Sequence, residues 1–201
     1  MPYALTLPLD RYAVIHVQQV EQALAGSTRA DHLLQPSEAP CLTLAVFPDC
    51  APICDIWAAV LREAETWSAI DLVLDAIGES SGRPRTVWLA SVKSEALDGF
   101  HSLLIAALRG FIVHPYYLPD RWMPQITLFP KGLPSGARLE DALAAWGGEI
   151  HIRLERLELV RLQPLEILQV QALRSSVSTH SPIEIPGPGY RMVSDAAVDS
   201  C

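Results

Sequence analysis

Two short runs carry the residues best suited to chemistry. Pro40-Cys41-Leu42-Thr43-Leu44 returns 84 positions later as Pro124-Gln125-Ile126-Thr127-Leu128, and each copy runs on to a Phe-Pro pair, Phe47-Pro48 and Phe129-Pro130. In an extended strand, residues two apart share a face. Cys41 and Thr43 therefore point one way and Leu42 and Leu44 the other, and Gln125 and Thr127 separate from Ile126 and Leu128 in the same manner. If the Leu/Ile faces pack beneath helices, the opposite faces line a cleft with two hydroxyls, a thiol and an amide. Hydroxyl and amide groups can donate hydrogen bonds to phosphate oxygens. A thiol with its ordinary pKa of about 8.5 is a weak base, and an amide moves no proton at any useful pH.

The surrounding pattern supplies elements to hold these runs. Residues 12–20 are β-branched and apolar with partial alternation and read as a first strand, followed by a short helical turn over 21–25 ended by Gly26. Residues 41–47 read as a buried strand closed by Pro48. Ile53, Ile56, Trp57, Val60, Leu61, Ala64 and Trp67 share one face of a helix. Residues 70–77 and 86–92 read as a hairpin around a Gly/Ser/Arg/Pro turn at 78–84. Ser94 suits the N-cap of an amphipathic helix that ends near Gly110. A Pro/Tyr loop at 114–119 leads to a strand at 123–129. A helix at 139–146 stops at Gly147 and Gly148, and strands at 150–160 and 166–173 run back to back across a turn at Pro164. Recurrent hairpins without strict alternation of strand and helix favour an α+β fold of mostly antiparallel sheet over a Rossmann-type sheet. No G-x-G-x-x-G or Walker loop is present.

With its repeat, the chain resembles the 2H phosphoesterase superfamily, the 2′-5′ RNA ligase and 2′,3′-cyclic phosphodiesterase proteins with two His-x-Thr/Ser motifs. The likeness runs from about Tyr12 to Leu173, and the stretch Trp122-Met123-Pro124-Gln125-Ile126-Thr127-Leu128 is its more specific part. The resemblance implies a bilobal domain over 1–174, with two pseudo-symmetric lobes, helices packed outside and a central cleft for a phosphodiester or cyclic phosphate. The first residue of each motif is histidine in active members, and here those positions hold Cys41 and Gln125. One imidazole takes a proton from water or a hydroxyl and the other protonates the leaving oxygen, each worth about 10²–10⁴ in rate. The resemblance thus implies a catalytically degraded member. In it, Thr43, Thr127, Gln125 and Cys41 bind a nucleotide or RNA-end phosphate without catalytic residues, metal or cofactor. An active cyclic phosphodiesterase that has recruited Cys41 or a displaced histidine is the alternative, and a protein-interaction scaffold is a third reading. Plain strand propensity of the two threonines also accounts for their presence.

Composition narrows the classes further. Of 201 residues, half are hydrophobic, which gives core enough to fold without disulfide or metal. The net charge of −8 argues against a protein that grips duplex DNA by phosphate neutralisation. The acidity lies in residues 1–80, while 81–174 carry a small basic excess in which an Arg or two could meet a small phosphorylated ligand. Without a membrane-length apolar run or a secretion signal, the chain reads as cytoplasmic. Cys41, Cys50, Cys54 and Cys201 form no Cys-x-x-Cys pair, so reduced thiols are expected and a zinc site is not. Among the histidines, His16 (first strand), His32 and His114 (loops), His101 (helix), His151 (strand start) and His180 (tail), none stands in the motif register. Tyr116, Tyr117 and Arg121 could stack a base or clamp a phosphate, whereas Trp122 reads as a core aromatic. From Ser175 the Ser/Pro/Gly-rich tail is expected to be poorly ordered.

Overall fold

The computed structural model describes residues 2–25, 40–64, 66–79, 86–91, 94–128 and 139–175. The chain opens with a strand that the sequence reading did not anticipate, β1 (Tyr3–Pro8), followed by α1 (Arg11–Ala25) where a strand over 12–20 was expected. The abundance of Val and Ile in that segment suggested a strand, but the buried positions Ala13, Val17, Val20 and Leu24 follow the helical repeat. Asp10 sets the start. Its Oδ1 accepts the backbone N–H groups of Tyr12 at 2.8 Å and Ala13 at 2.9 Å, an N-cap arrangement. His16 accordingly lies on a helix, exposed, and not on a strand.

Then follow β2 (Cys41–Phe47), α2 (Ile53–Ala64), β3 (Ile70–Leu74), β4 (Ala76–Glu79), β5 (Val87–Ala90), α3 (Glu95–Ala107), β6 (Gln125–Leu128), α4 (Leu139–Trp146), β7 (Ile150–Leu154), β8 (Arg156–Leu162) and β9 (Leu165–Ala172). Ser94 caps α3 as expected, accepting the Leu97 N–H at 3.2 Å. Gly147 and Gly148, both at positive φ, end α4 where a side chain would be strained. Of the turn expected at 78–84, Gly78 and Glu79 belong to β4 and 80–84 lie outside the described residues, as do Gly26, His32, Phe129-Pro130, His180 and the tail beyond Ser175.

Two runs read as single strands each divide in two. Residues 70–77 bend at Asp75, so β3 pairs with β7 while β4 pairs with β5; a bond from Asp75 N–H to the Ala90 carbonyl (3.0 Å) carries the pairing across the bend. Residues 150–160 break at Glu155, so β7 serves β3 while β8 crosses to β1. One sheet has the order β2-β1-β8-β9, and the order β4-β5-β6 makes the other, with β3-β7 alongside. All named strand pairs are antiparallel. Leu5, Leu7, Leu42, Leu44, Leu157 and Leu159 from the first sheet join Val87, Leu89, Ile126 and Leu128 from the second, and Leu72, Leu74 and Ile152 from the β3-β7 pair, in one apolar core with the helices. No helix among the described residues is long and apolar enough to cross a membrane.

Candidate functional site

The two repeated runs occupy equivalent places: β2 is an edge strand of the first sheet and β6 an edge strand of the second, and the two lie beside one another. Their alternation follows the expected faces. Leu42, Leu44, Ile126 and Leu128 are wholly buried, whereas Cys41, Thr43, Gln125 and Thr127 keep partial exposure. The strict alternation of β2 breaks after Leu44. The register with β1 slips there, Leu5 facing Ala45 and Thr6 facing Thr43, so Leu44 and Ala45 are both buried.

A free edge at β2 would expose unpaired carbonyls, and side chains and backbone from the second half of the chain occupy them. The indole N–H of Trp122 donates to the Thr43 carbonyl at 2.9 Å, His101 Nε2 lies 3.1 Å from the Leu44 carbonyl, and the His114 N–H donates to the Val46 carbonyl at 2.8 Å. Trp122 and His101 also stack, with ring centroids 3.8 Å apart. Trp122 is therefore the packing aromatic that its sequence context suggested. His101 is a buried, committed side chain, and burial lowers its pKa despite the carbonyls around it.

The environment of Cys41 is built by residues that sequence reasoning missed. Across the first sheet, Glu158 of β8 stands opposite Thr6 of β1, which stands opposite Thr43 of β2, so the three side chains share one face. Cys41 joins that face two residues from Thr43. Burial, and secondarily the negative charge of Glu158, push the Cys41 thiol up to about 11, while hydrogen bonds from Thr43 and Thr6 pull weakly the other way. Glu158 is nearly inaccessible and accepts a 2.8 Å bond from Arg156 Nε, whose side chain is half exposed. Tyr117, from the 3₁₀ turn Pro115–Tyr117, reaches the same neighbourhood; burial raises its phenol, with smaller contributions from Tyr116 and Cys41. A signal for β1 was present in the sequence: Leu5-Thr6-Leu7 is a third Leu-Thr-Leu/Ile-Thr-Leu run, and its Thr and second Leu pair with Thr43 and Leu42.

On β6 the corresponding face carries two cross-strand rows. Gln125 stands opposite Ala90, which faces Ala76; Thr127 stands opposite Trp88, which faces Gly78. Of the remaining sequence candidates, Tyr116 and Arg121 are exposed on the loop before β6. His114 is exposed and accepts the Tyr116 N–H through Nδ1 at 3.3 Å, and His151 pairs with Glu149 at the start of β7, away from both motif strands in the pairing order. Among the described residues, no group of three or more His, Cys, Asp or Glu side chains could hold a metal ion.

No family model and no curated protein matches the chain by sequence. Solved structures do match it by shape. TT0787 of Thermus thermophilus superposes with a TM-score of 0.62 at 18% identity, covering 87% of this chain and 99% of that one. A structure described as a phosphoesterase gives 0.55 at 17% identity over 86% of this chain and 97% of its own. E. coli LigT complexed with 3′-AMP gives 0.51 at 20% identity over 86% and 99% of the two chains. At such identities the likeness is one of fold, and it extends over nearly the full length of each protein: the chain has the mixed α+β fold of these structures, as its repeated motif implied.

Proposed function

We propose that this chain is a 2H phosphoesterase-type protein that has lost its acid–base pair and binds a nucleotide or RNA-end phosphate between its two motif strands without turning it over. The observation that carries this reading is that β2 and β6, edge strands of two different sheets, lie beside one another, with Cys41 and Gln125 at the positions where the family pattern has histidine. A thiol raised to about 11 stays protonated at neutral pH and accepts no proton from water, and the Gln125 amide has none to give. His101 is held between Trp122 and the Leu44 carbonyl, which removes the most deeply placed histidine from proton transfer. Thr43, Thr127 and the Gln125 amide retain donors for phosphate oxygens, and a structure of the same fold holds 3′-AMP.

Calorimetry of the full chain with 3′-AMP and with adenosine 2′,3′-cyclic phosphate, followed by chromatography of the mixtures, tests the reading. Saturable binding weakened by Thr127→Val and Thr43→Val, with the cyclic phosphate recovered intact, is the expected result. Conversion of the cyclic phosphate at a rate abolished by Cys41→Ala would replace it with an active hydrolase.

A further inference from the structure

The two edges of the first sheet are finished differently. At β2, groups from Trp122, His101 and His114 occupy the Thr43, Leu44 and Val46 carbonyls. At the other edge lies β9, eight residues long, and among the described residues no second strand pairs with it; the bridge between Ser68 and Arg174 falls after the strand has ended. Edge strands that resist pairing are short or carry lysine, proline or an unbalanced charge. β9 has neither lysine nor proline, and its single charge, Glu166, is held by Arg161 of β8 at 2.6 Å. It also presents large apolar side chains to solvent, Ile167 at 57% exposure, Val170 at 53% and Leu165 at 39%.

A register slip brings these side chains to one face. β9 shifts against β8 between Leu159 and Val160, so Leu168 is an extra residue, and Leu165, Ile167, Val170 and Ala172 stand opposite Leu162, Val160, Glu158 and Arg156. Residues opposite one another share a face, so these four lie on the face of Thr6 and Thr43, and Glu166 and Gln171 lie on the other. Without the extra residue, Leu165 and Ile167 would share their face with Gln169 and Gln171 instead. With it, the polarity of the strand reads the same from both ends: apolar, polar, apolar on either side of Leu168-Gln169. Such a strand is complementary to its own antiparallel copy. About a two-fold axis between Leu168 and Gln169, Ile167 of one copy meets Val170 of the other, Leu165 meets Ala172, Glu166 meets Gln171, and no charge meets its like. We propose that two copies of this chain associate by antiparallel pairing of β9 with β9, joining their first sheets into one of eight strands with both Thr43 faces on the same side. The net charge of −8 per chain opposes association in general, and β9, with Glu166 neutralised by Arg161, is a place where two copies approach without that repulsion. Eight residues a side fall short of the roughly 20–30 of a standard interface, so the expected dissociation constant is on the order of tens of micromolar.

Sedimentation velocity of the full chain from about 5 to about 500 µM tests the pairing, a range chosen to bracket that affinity. The average mass should rise from that of one chain to that of two. Ile167→Glu and Val170→Lys each place a charge in the centre of the interface; lysine is chosen at 170 because Val170 stands opposite Glu158. Each variant should dimerise about tenfold more weakly or worse, with an unchanged urea melt at concentrations where wild type is monomeric. Mixed in equal amounts, the two variants should dimerise again, because the glutamate of one copy then faces the lysine of the other, a match that neither variant can make alone. Wild type that stays monomeric at the highest concentration, dimerisation indifferent to both substitutions, or a mixture as weak as its components overturns the proposal.

Discussion

His101 and Trp122 stack within 9° of parallel, and each ring also reaches a carbonyl of β2, His101 that of Leu44 and Trp122 that of Thr43. The two rings close the free edge of the first motif strand with side chains from the second half of the chain. Whatever the site binds, its first wall is held in place by this pair, and the pair has a proton dependence that can be measured.

Burial lowers the folded-state pKa of His101 below its ordinary 6.5. Above pH 6.5 both folded and unfolded chains carry a neutral ring and no stability is lost. As the pH falls below 6.5 the unfolded chain takes up a proton that the folded chain resists, so stability declines by at most about 1.4 kcal/mol per pH unit until the lowered pKa is reached. Urea melts at pH 7.5 and 5.5 should show this loss, and His101→Gln should flatten the difference. An unchanged slope in that variant would assign the acid sensitivity elsewhere.

Cys41 differs from Cys50 and Cys54 in surroundings, and thiol labelling should report it. Cys50 and Cys54 are exposed, while burial and Glu158 hold the Cys41 thiol up near 11. At pH 8 only about a thousandth of Cys41 is thiolate, the reactive form. Peptide mapping after brief iodoacetamide treatment should find Cys50 and Cys54 modified and Cys41 intact, with Cys41 labelling rising tenfold per pH unit through pH 10. Glu158→Gln removes the negative charge and should accelerate Cys41 labelling severalfold. Rapid Cys41 modification at pH 8 would mean that the thiol is open and basic enough to serve as a nucleophile.

The motif strands were legible because the repeat fixed both their type and their faces: Leu42, Leu44, Ile126 and Leu128 are buried and their neighbours are not. The helices around Trp57 and Leu104 were legible from a strong apolar period, bounded in the second by Ser94 and Gly110. Illegible were the features set by long-range pairing. Nothing local divides 70–77 at Asp75 or 150–160 at Glu155; the divisions arise because each run serves two partners. Glu158 and Trp88 entered the site only through register, Glu158 opposite Thr6 and Trp88 opposite Thr127, pairings between strands far apart in the chain. Helix α1 was misread because Val and Ile favour strands intrinsically, and here burial of one helical face outweighs that preference.

Asp10 joins two elements at a point where the sequence showed only a polar residue. Its Oδ1 caps α1 while Oδ2 accepts the Arg153 N–H of β7 at 2.8 Å, 143 residues away. Losing an N-cap costs about 1 kcal/mol, and losing a hydrogen bond to a charged acceptor about 1.5–3 kcal/mol. Asp10→Ala should therefore destabilise the chain by about 2–4 kcal/mol in urea melts. Asp10→Asn, which keeps an oxygen for the cap and turns an NH₂ toward the Arg153 backbone N–H, should lose only the tie, about 1.5–3 kcal/mol. Equal losses in the two variants would show that the cap contributes little and the tie to β7 nearly all.

Restoring the missing bases tests the geometry of the motif strands most directly. Cys41 and Gln125 are half-buried on the strand faces opposite Leu42, Leu44, Ile126 and Leu128, so an imidazole at either position points away from the apolar core. One imidazole would remove a proton from water and the other would protonate the departing ribose oxygen. Since each role is worth about 10²–10⁴ in rate, Cys41→His with Gln125→His together should give measurable hydrolysis of adenosine 2′,3′-cyclic phosphate, and either substitution alone far less. The activity should show a bell-shaped pH profile, because one ring must be neutral and the other charged. Adding Thr127→Val to the double variant should weaken it through substrate affinity. A double variant that melts like wild type and yet turns over no cyclic phosphate between pH 6 and 8 would mean that β2 and β6, though adjacent, do not present positions 41 and 125 to a common phosphate.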